Sequence, residues 1–295
     1  MYKDLVNVLM CPECKRELKL SIVKEENDEV IDGKLSCDNS HNWVIKEGVV
    51  YFGSEDQECA NNWKESYKSK DYEELDKEIL KNTPENMKEI NNKTKEFIIN
   101  KINQNKEIKN ILDIATGRGM LLTELVEKIN IDAQIICADL SFDVLKYDRL
   151  KVKKNNPGIK VNYIACDATN LPIKEEAIDV AVSFHGIANM LDKMPEGIKE
   201  ANRVIKRNNY LLNSGIVIKE NSDGYRVVKD WLNTKGIYKA ENTFIETGFE
   251  KAHEDGGFEY VKPIEIAEGI GEKCENDLLP FEDEWFSVFV IECRK

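Results

Sequence analysis

Residues 111–119, Ile-Leu-Asp-Ile-Ala-Thr-Gly-Arg-Gly, read as an apolar strand running into Asp113, a tight loop, and a helix that opens at Met120. So sharp a turn from strand to helix needs residues free to leave the usual backbone basins, and Gly117 and Gly119 are such residues. The helix that follows presents free N–H groups and a positive dipole end to whatever lies on the loop. Strand, glycine turn and helix in this order predict an α/β architecture. Ordinary turns share the pattern, so the segment alone does not specify a ligand.

A second apolar strand, Gln134 to Asp139, ends in an acid about 20 residues beyond the loop, where a carboxylate can accept both hydroxyls of a ribose. The dinucleotide pattern Gly-x-Gly-x-x-Gly is absent, because position 122 is Leu. The loop therefore suits a nucleoside without phosphates. A third strand, Val161 to Ala165, leads into Cys166-Asp167-Ala168 and Asn170-Leu171-Pro172, and a fourth spans Ile178 to Phe184. Asp139 and Asp167 also fit plain strand-end turns, where Asp is common.

Taken together, Leu-Asp-Ile-Ala-Thr-Gly-Arg-Gly, Ala-Asp-Leu-Ser, Cys-Asp-Ala-Thr-Asn-Leu-Pro and Ile-Asp-Val-Ala-Val-Ser resemble the motif series of class I S-adenosylmethionine-dependent methyltransferases, over residues 105–220. The resemblance implies a Rossmann-like seven-stranded sheet with helices on both faces, and S-adenosyl-L-methionine as cofactor. It places Asp113 and the loop residues Ala115, Thr116, Gly117 and Gly119 against the methionine part, and Asp139 with Leu140 at the ribose. Asp167 and Ala168 fall beside the adenine amino group, and Ser183 becomes a further cofactor contact. Ala115 stands where the family has its first glycine, a change that reshapes the loop. Phe184-His185-Gly186-Ile187-Ala188-Asn189 follows the fourth strand, where methyl and acceptor meet. It is neither the Asn-Pro-Pro-Tyr of amino-group methylation nor the Pro-Cys of attack on cytosine C5, and is similar to small-molecule methyltransferases of quinone-biosynthesis type. His185 is a candidate general base with a pKa near working pH; the alternative is a histidine that caps a turn.

Cys11-Pro12-Glu13-Cys14, followed by Cys37 and His41, offers three thiolates and an imidazole, the donor set of a tetrahedral zinc. Four protein ligands leave no open position for water, so the site reads as structural. A head of about 50 residues buries little core, and a metal compensates for that. A hairpin is expected from Leu18 to Val23 with its turn near Asp32-Gly33, then a strand pair over 43–45 and 48–52. Four unconnected residues are the alternative. Cys-Pro-x-Cys with Cys-x-x-x-His and Lys-Glu-Gly-Val-Val resembles the zinc-binding head of bacterial 23S rRNA guanine-N1 methyltransferases, although the gap from Cys14 to Cys37 is longer than in that family. The resemblance implies recognition of RNA.

The charge argues otherwise. The net charge is −13, and residues 241–295 hold 15 Asp/Glu against 5 Lys/Arg, which repels a phosphate backbone. Basic clusters at 146–154 and 199–207 fall on helices flanking the sheet. The methyl acceptor is thus either a ribosomal RNA base, favoured by the zinc head, or a small molecule, favoured by the acidic tail and the 184–189 segment. A third reading is a non-catalytic binding module that keeps the fold. With 295 residues and 41% hydrophobic content, the chain divides into a zinc-binding head (1–53), a helical linker or lid (54–105) and a methyltransferase domain (106–295). In the linker, Thr83 is expected to cap a helix starting at Pro84-Glu85, with Ile90, Phe97, Ile98 and Ile102 as its apolar stripe, and Trp63 and Tyr67 on the preceding helix. Met194 to Lys206 reads as a helix, Tyr210 to Ile216 as the fifth strand entered through Asn208-Asn209, and residues 258–266 and 285–293 as a closing antiparallel hairpin around a loop, 269–280, beside the pocket. The lack of an apolar run of about 18 residues and the scattered cysteines predict a cytoplasmic protein without membrane contact.

Overall fold

Strands that read as unbroken apolar runs are those covered on both faces of a parallel sheet. The computed structural model, which describes residues 1–53, 71–238, 240–273 and 278–295, places them in that position. In chain order the strands are β1 (Lys19–Glu26), β2 (Glu29–Ser36), β3 (Asn42–Lys46), β4 (Val49–Tyr51), β5 (Asn110–Ile114), β6 (Gln134–Asp139), β7 (Val161–Ala165), β8 (Ile178–Phe184), β9 (Ile205–Ile218), β10 (Tyr260–Ile270) and β11 (Trp285–Arg294). The helices are α1 (Tyr72–Asn82), α2 (Glu85–Asn103), α3 (Met120–Lys128), α4 (Phe142–Asn155), α5 (Met194–Val204), α6 (Asp223–Thr234) and α7 (Glu246–Glu254).

All strands join one sheet in the order β1-β2-β3-β4-β7-β6-β5-β8-β9-β11-β10. From β7 to β10 this is the seven-stranded methyltransferase sheet, with β11 the antiparallel member beside β9. The head continues it. Strand β4 pairs parallel with β7 (Val49 with Tyr163, Tyr51 with Ala165), so β7 presents no open edge. Alternate residues of the central strands point to opposite layers. Ile111, Ile135 and Val180 pack with α2, α3 and α4, while Leu112, Ile136 and Ala181 pack with α5, Phe249 of α7, and the head residues Leu9, Cys11 and Leu35.

Several local expectations shift. The first hairpin turns at Asn27-Asp28, both left-handed (φ 50° and 65°), and Asp32 and Gly33 lie within β2. Gly33 is needed where it sits, because a Cβ there would lie 2.6 Å from Ser21 O. Thr83 does not cap α2; its hydroxyl donates to Ile79 O and finishes α1 instead. Helix α5 stops at Val204, and β9 begins at once and runs well past the expected strand, with Asn208 left-handed (φ 63°) in its course. Trp63 and Tyr67 lie outside the described residues. No helix among the described residues is long and apolar enough to cross a membrane.

The basic cluster on α4 is spent inside the molecule. Arg149 forms a two-pronged ion pair with Glu29 of β2 (2.8 and 3.0 Å), Lys153 reaches the same carboxylate, and Lys146 pairs with Glu47. The second cluster pairs likewise: Arg203 with Glu200, Lys206 with Asp179 and Arg207 with Glu176. Asp179 also receives the backbone N–H groups of Lys109 and Asn110 (2.9 and 2.8 Å), fixing the entry of β5. Asp179→Ala strands those donors, so urea unfolding should show a loss of about 2–3 kcal/mol; an unchanged midpoint would mean that water replaces the carboxylate.

Candidate functional site

The loop after β5 is held by its own backbone and by two buried acids. Thr116 N–H donates to Ala138 O (3.1 Å), Gly119 N–H to Thr116 O (3.1 Å), and Gly117 N–H to the Asp139 carboxylate (2.9 Å). Ala115, Gly117 and Gly119 are all left-handed (φ 54°, 54° and 69°). Ala115 thus adopts a glycine's conformation in spite of its methyl group, at a cost of about 1 kcal/mol. A Cβ on Gly117 would meet nothing within 4 Å, so the loop leaves open space above its backbone. On Gly119 a Cβ would lie 2.8 Å from the Asp148 carboxylate.

Asp113 lies beneath the loop, 1% exposed. One oxygen accepts the Thr116 hydroxyl at 2.6 Å, and the other has no hydrogen-bond partner among the described residues. Burial pushes its carboxyl up to about 7; the Thr116 bond opposes the rise and the neighbouring Asp139 adds to it. Asp139 accepts from Gly117 N–H on one oxygen and Ser141 N–H on the other, and each oxygen keeps a second lone pair.

Two openings lie at the carboxyl ends of the strands. A cavity of about 300 Å³ is bordered by Ala115, Thr116, Gly117 and Arg118 from the loop and by Phe184, His185 and Gly186 from the end of β8. Its remaining walls are largely apolar: Met87, Leu191, Ile216, Trp231, Phe244 and Leu279. Leu278 to Pro280 border it, as expected of that loop. Gly186 has to be glycine, since a Cβ would lie 2.3 Å from Ala115 O. His185 is left-handed (φ 60°), its N–H donates to Ser214 Oγ, and its ring Nε2 is buried with no partner among the described residues. Burial pushes the imidazole down to about 4, well below the working pH expected of a base. The second opening, about 50 Å³, lies at the ends of β6 and β7, between Leu140 and Asp167 on one side and Tyr51, Phe52 and Gly53 of the head on the other.

The structure therefore brings Ala115, Thr116, Gly117 and His185 to one cavity and Leu140 and Asp167 to the other, with Asp139 on the strand between them. Ala168 packs on the core beside Asp167. Ser183 is wholly buried, its hydroxyl donating to Ile114 O and accepting from Ile187 N–H, so it braces β5 against the turn after β8. Sequence reasoning missed Asn91, whose buried Oδ1 lacks a partner among the described residues at the cavity wall, and Leu191, strained at φ 56° and ψ −116°. Both lie on helical segments whose sequence carries no motif.

On the head, the ligand atoms of Cys11, Cys14, Cys37 and His41 lie within 4.8 Å of one another. Zinc bound tetrahedrally at about 2.3 Å from sulfur and 2.0 Å from nitrogen sets S···S edges near 3.8 Å and S···N edges of about 3.5 Å. The Cys14–Cys37 separation is 3.6 Å, and His41 Nδ1 lies 3.4 and 3.5 Å from Cys11 and Cys37. The donor set thus fits zinc, and the cysteine sulfurs are too far apart for a disulfide.

The state of Asp113 is open to measurement. Its folded pKa of about 7 lies above the 3.8 of a free aspartate, so the folded protein binds more protons than the unfolded chain between those values. Stability on its account is highest below pH 4 and falls as pH rises through 7. Asp113→Asn removes that fall, so the stability of the variant relative to the wild type should improve by on the order of 3 kcal/mol from pH 4 to pH 8. A difference independent of pH in urea titrations would mean that Asp113 is ionised when folded.

The chain matches the model of the ubiE/COQ5 methyltransferase family over residues 86–227. It is 26% identical over 96 residues to a ubiquinone/menaquinone biosynthesis C-methyltransferase of Stenotrophomonas maltophilia, covering 32% of this chain and 38% of that protein. It is 26% identical over 97 residues to a 2-phytyl-1,4-naphtoquinone methyltransferase of a Nostoc species, covering 33% and 42%. The matched span is thus about two fifths of these relatives' length. Among solved structures, a phosphoethanolamine N-methyltransferase 2 of Haemonchus contortus, bound to phosphomonomethylethanolamine and S-adenosylhomocysteine, shares the fold with a TM-score of 0.50 at 17% identity, over 68% of this chain and 52% of that one. The family match and these relatives are in line with the expected methyltransferase fold. Sheet order, glycine loop and family match together identify the chain as carrying the class I methyltransferase fold.

Proposed function

We propose that the protein transfers a methyl group from S-adenosylmethionine to a ring carbon of a small, largely apolar aromatic acceptor of the quinone class. The observation that carries this reading is the apolar cavity of about 300 Å³ opening onto the glycine loop. The quinone methyltransferases among the relatives support it, as does the pairing of Arg149, Arg203 and Lys206 with carboxylates of the chain itself, which reduces the charge open to phosphates.

When bound, the cofactor supplies an electrophilic methyl group on a sulfonium. The chain's own residues hold and orient. Ala115, Thr116, Gly117 and Gly119 take the methionine part, with the buried Asp113 carboxyl beneath the loop adding negative potential to that end. Asp139 accepts the ribose hydroxyls on its remaining lone pairs, and Leu140, Asp167 and Ala168 border the adenine. Ser183 supports the loop from below. With the acceptor in its reduced hydroquinone form, whose hydroxyls make the ring carbon nucleophilic, that carbon would take the methyl as the sulfur–methyl bond breaks to leave S-adenosylhomocysteine, and the ring proton would pass to solvent. Alignment supplies most of the rate. His185, neutral at pH 7, lines the cavity and shapes the seat of the acceptor; its low pKa suits orientation better than storing a proton. The Cys11, Cys14, Cys37 and His41 set holds a structural zinc.

Radiolabelled S-adenosylmethionine offered with a lipid extract and, separately, with unmodified ribosomal RNA should label a quinone in the lipid fraction. Label confined to RNA would overturn the acceptor, and no label with no cofactor binding would leave a binding module. His185→Ala should lower kcat about 10²-fold, the scale of a lost alignment, with cofactor affinity unchanged. The wild-type rate should show no inflection near pH 6.5; one that disappears in the variant would restore the histidine as a general base.

A further inference from the structure

The head reaches the cleft by two routes. Strand β4 pairs with β7, and directly after it Phe52 N–H donates to Ala165 O at 2.8 Å. That bond sets Phe52 and Gly53 across the smaller opening from Leu140 and Asp167. Phe52 is 8% exposed and rests on Trp43 with ring centroids 5.5 Å apart. It also shares an apolar cluster with Cys11 and Cys37.

The second route runs through the loop that Asp167 begins. Asp167 accepts from the N–H and hydroxyl of Thr169, and Asn170 N–H donates back to Asp167 O. The same loop is then bound to the cysteine knuckle. Met10 N–H donates to Pro172 O, Lys174 N–H to Val8 O, and Lys15 Nζ to the Asn170 side chain, whose amide reaches Pro12 O. Pro12 directly follows Cys11 and Lys15 directly follows Cys14. Leu140, facing the head across the opening, is 44% exposed among the described residues.

We infer that the zinc head forms one wall of the adenine subsite, with Phe52 as the contact and the cysteine knuckle as the brace for the Asp167 loop, so that metal occupancy sets cofactor affinity. This rests on the assignment of the cleft to S-adenosylmethionine. A head that served only an acceptor would have no need to bond the β7 end and the Asp167 loop at the same time. A purine edge between Leu140 and Phe52 gains apolar cover on both sides, while its amino group finds Asp167, whose Oδ2 makes no hydrogen bond among the described residues.

Calorimetric titration of the full chain with S-adenosylhomocysteine and with adenosine tests this, with zinc content measured by atomic absorption. Chelator-stripped protein should bind both ligands at least tenfold more weakly than the loaded protein, and added zinc should restore affinity. Phe52→Ala, at full zinc content, should weaken both about tenfold; the loss with adenosine, which lacks the methionine part, locates the effect at the adenine end. Affinities within twofold of wild type for the stripped protein overturn the inference. Should stripping unfold the chain by circular dichroism, unchanged affinity in zinc-loaded Phe52→Ala overturns it instead. Wild-type protein that binds neither ligand refutes the cofactor assignment itself, and the inference with it.

Discussion

Strand β5 pairs in parallel with β6 on one side and β8 on the other, and everything functional follows from that placement. The chain proceeds outward to β6 and β7, then crosses back to β8, so its order reverses at the carboxyl end of β5. Helices leave in opposite directions from such a point and open a crevice between them. Here the crevice holds the Ala115 to Gly119 loop, with Asp113 under it, His185 on the β8 side and Leu140 and Asp167 on the β6 and β7 side.

That geometry gathers acids in a poorly solvated place. Asp113, Asp139 and Asp148 are all at most 8% exposed, and burial raises all three carboxyls. Burial raises Asp148 well above its usual range, with Lys151 the opposing charge at 3.6 Å. Such groups cost stability unless something compensates them. Lys151 and Arg118 both pair with Asp76 of α1, which fastens that helix over the loop. Hydrogen-bond donors supplied to Asp139 and positive charge near Asp113 relieve part of the remaining cost.

The head extends the same logic. Its strand β4 closes the β7 edge, and its Glu29 is held against α4, where Arg149 and Lys153 outweigh burial and keep the carboxyl down at about 2. A small β unit with a thin core thereby gains a sheet neighbour and a buried ion pair besides its four candidate metal ligands. Within the basic stretch 146–154, Lys146, Arg149 and Lys153 serve that attachment.

The sequence by itself determined the strands β5 to β8, the glycine loop, the acids at strand ends and the Cys11, Cys14, Cys37 and His41 set. All of these are local: apolar runs, turn residues and ligand spacing carry their own signal within a few residues. Local reading failed where neighbours decide. The Asn27-Asp28 turn won over Asp32-Gly33 because Gly33 is needed for close passage against β1. Thr83 closed α1 because its hydroxyl found Ile79 O, and His185 lost its working-range pKa because tertiary burial surrounds its ring. Asn91, Leu191 and Phe52 came to the site from elements without a motif. Only the tertiary structure set the head into the methyltransferase sheet, since strand pairing is a contact between segments more than a hundred residues apart and no single segment records its partner.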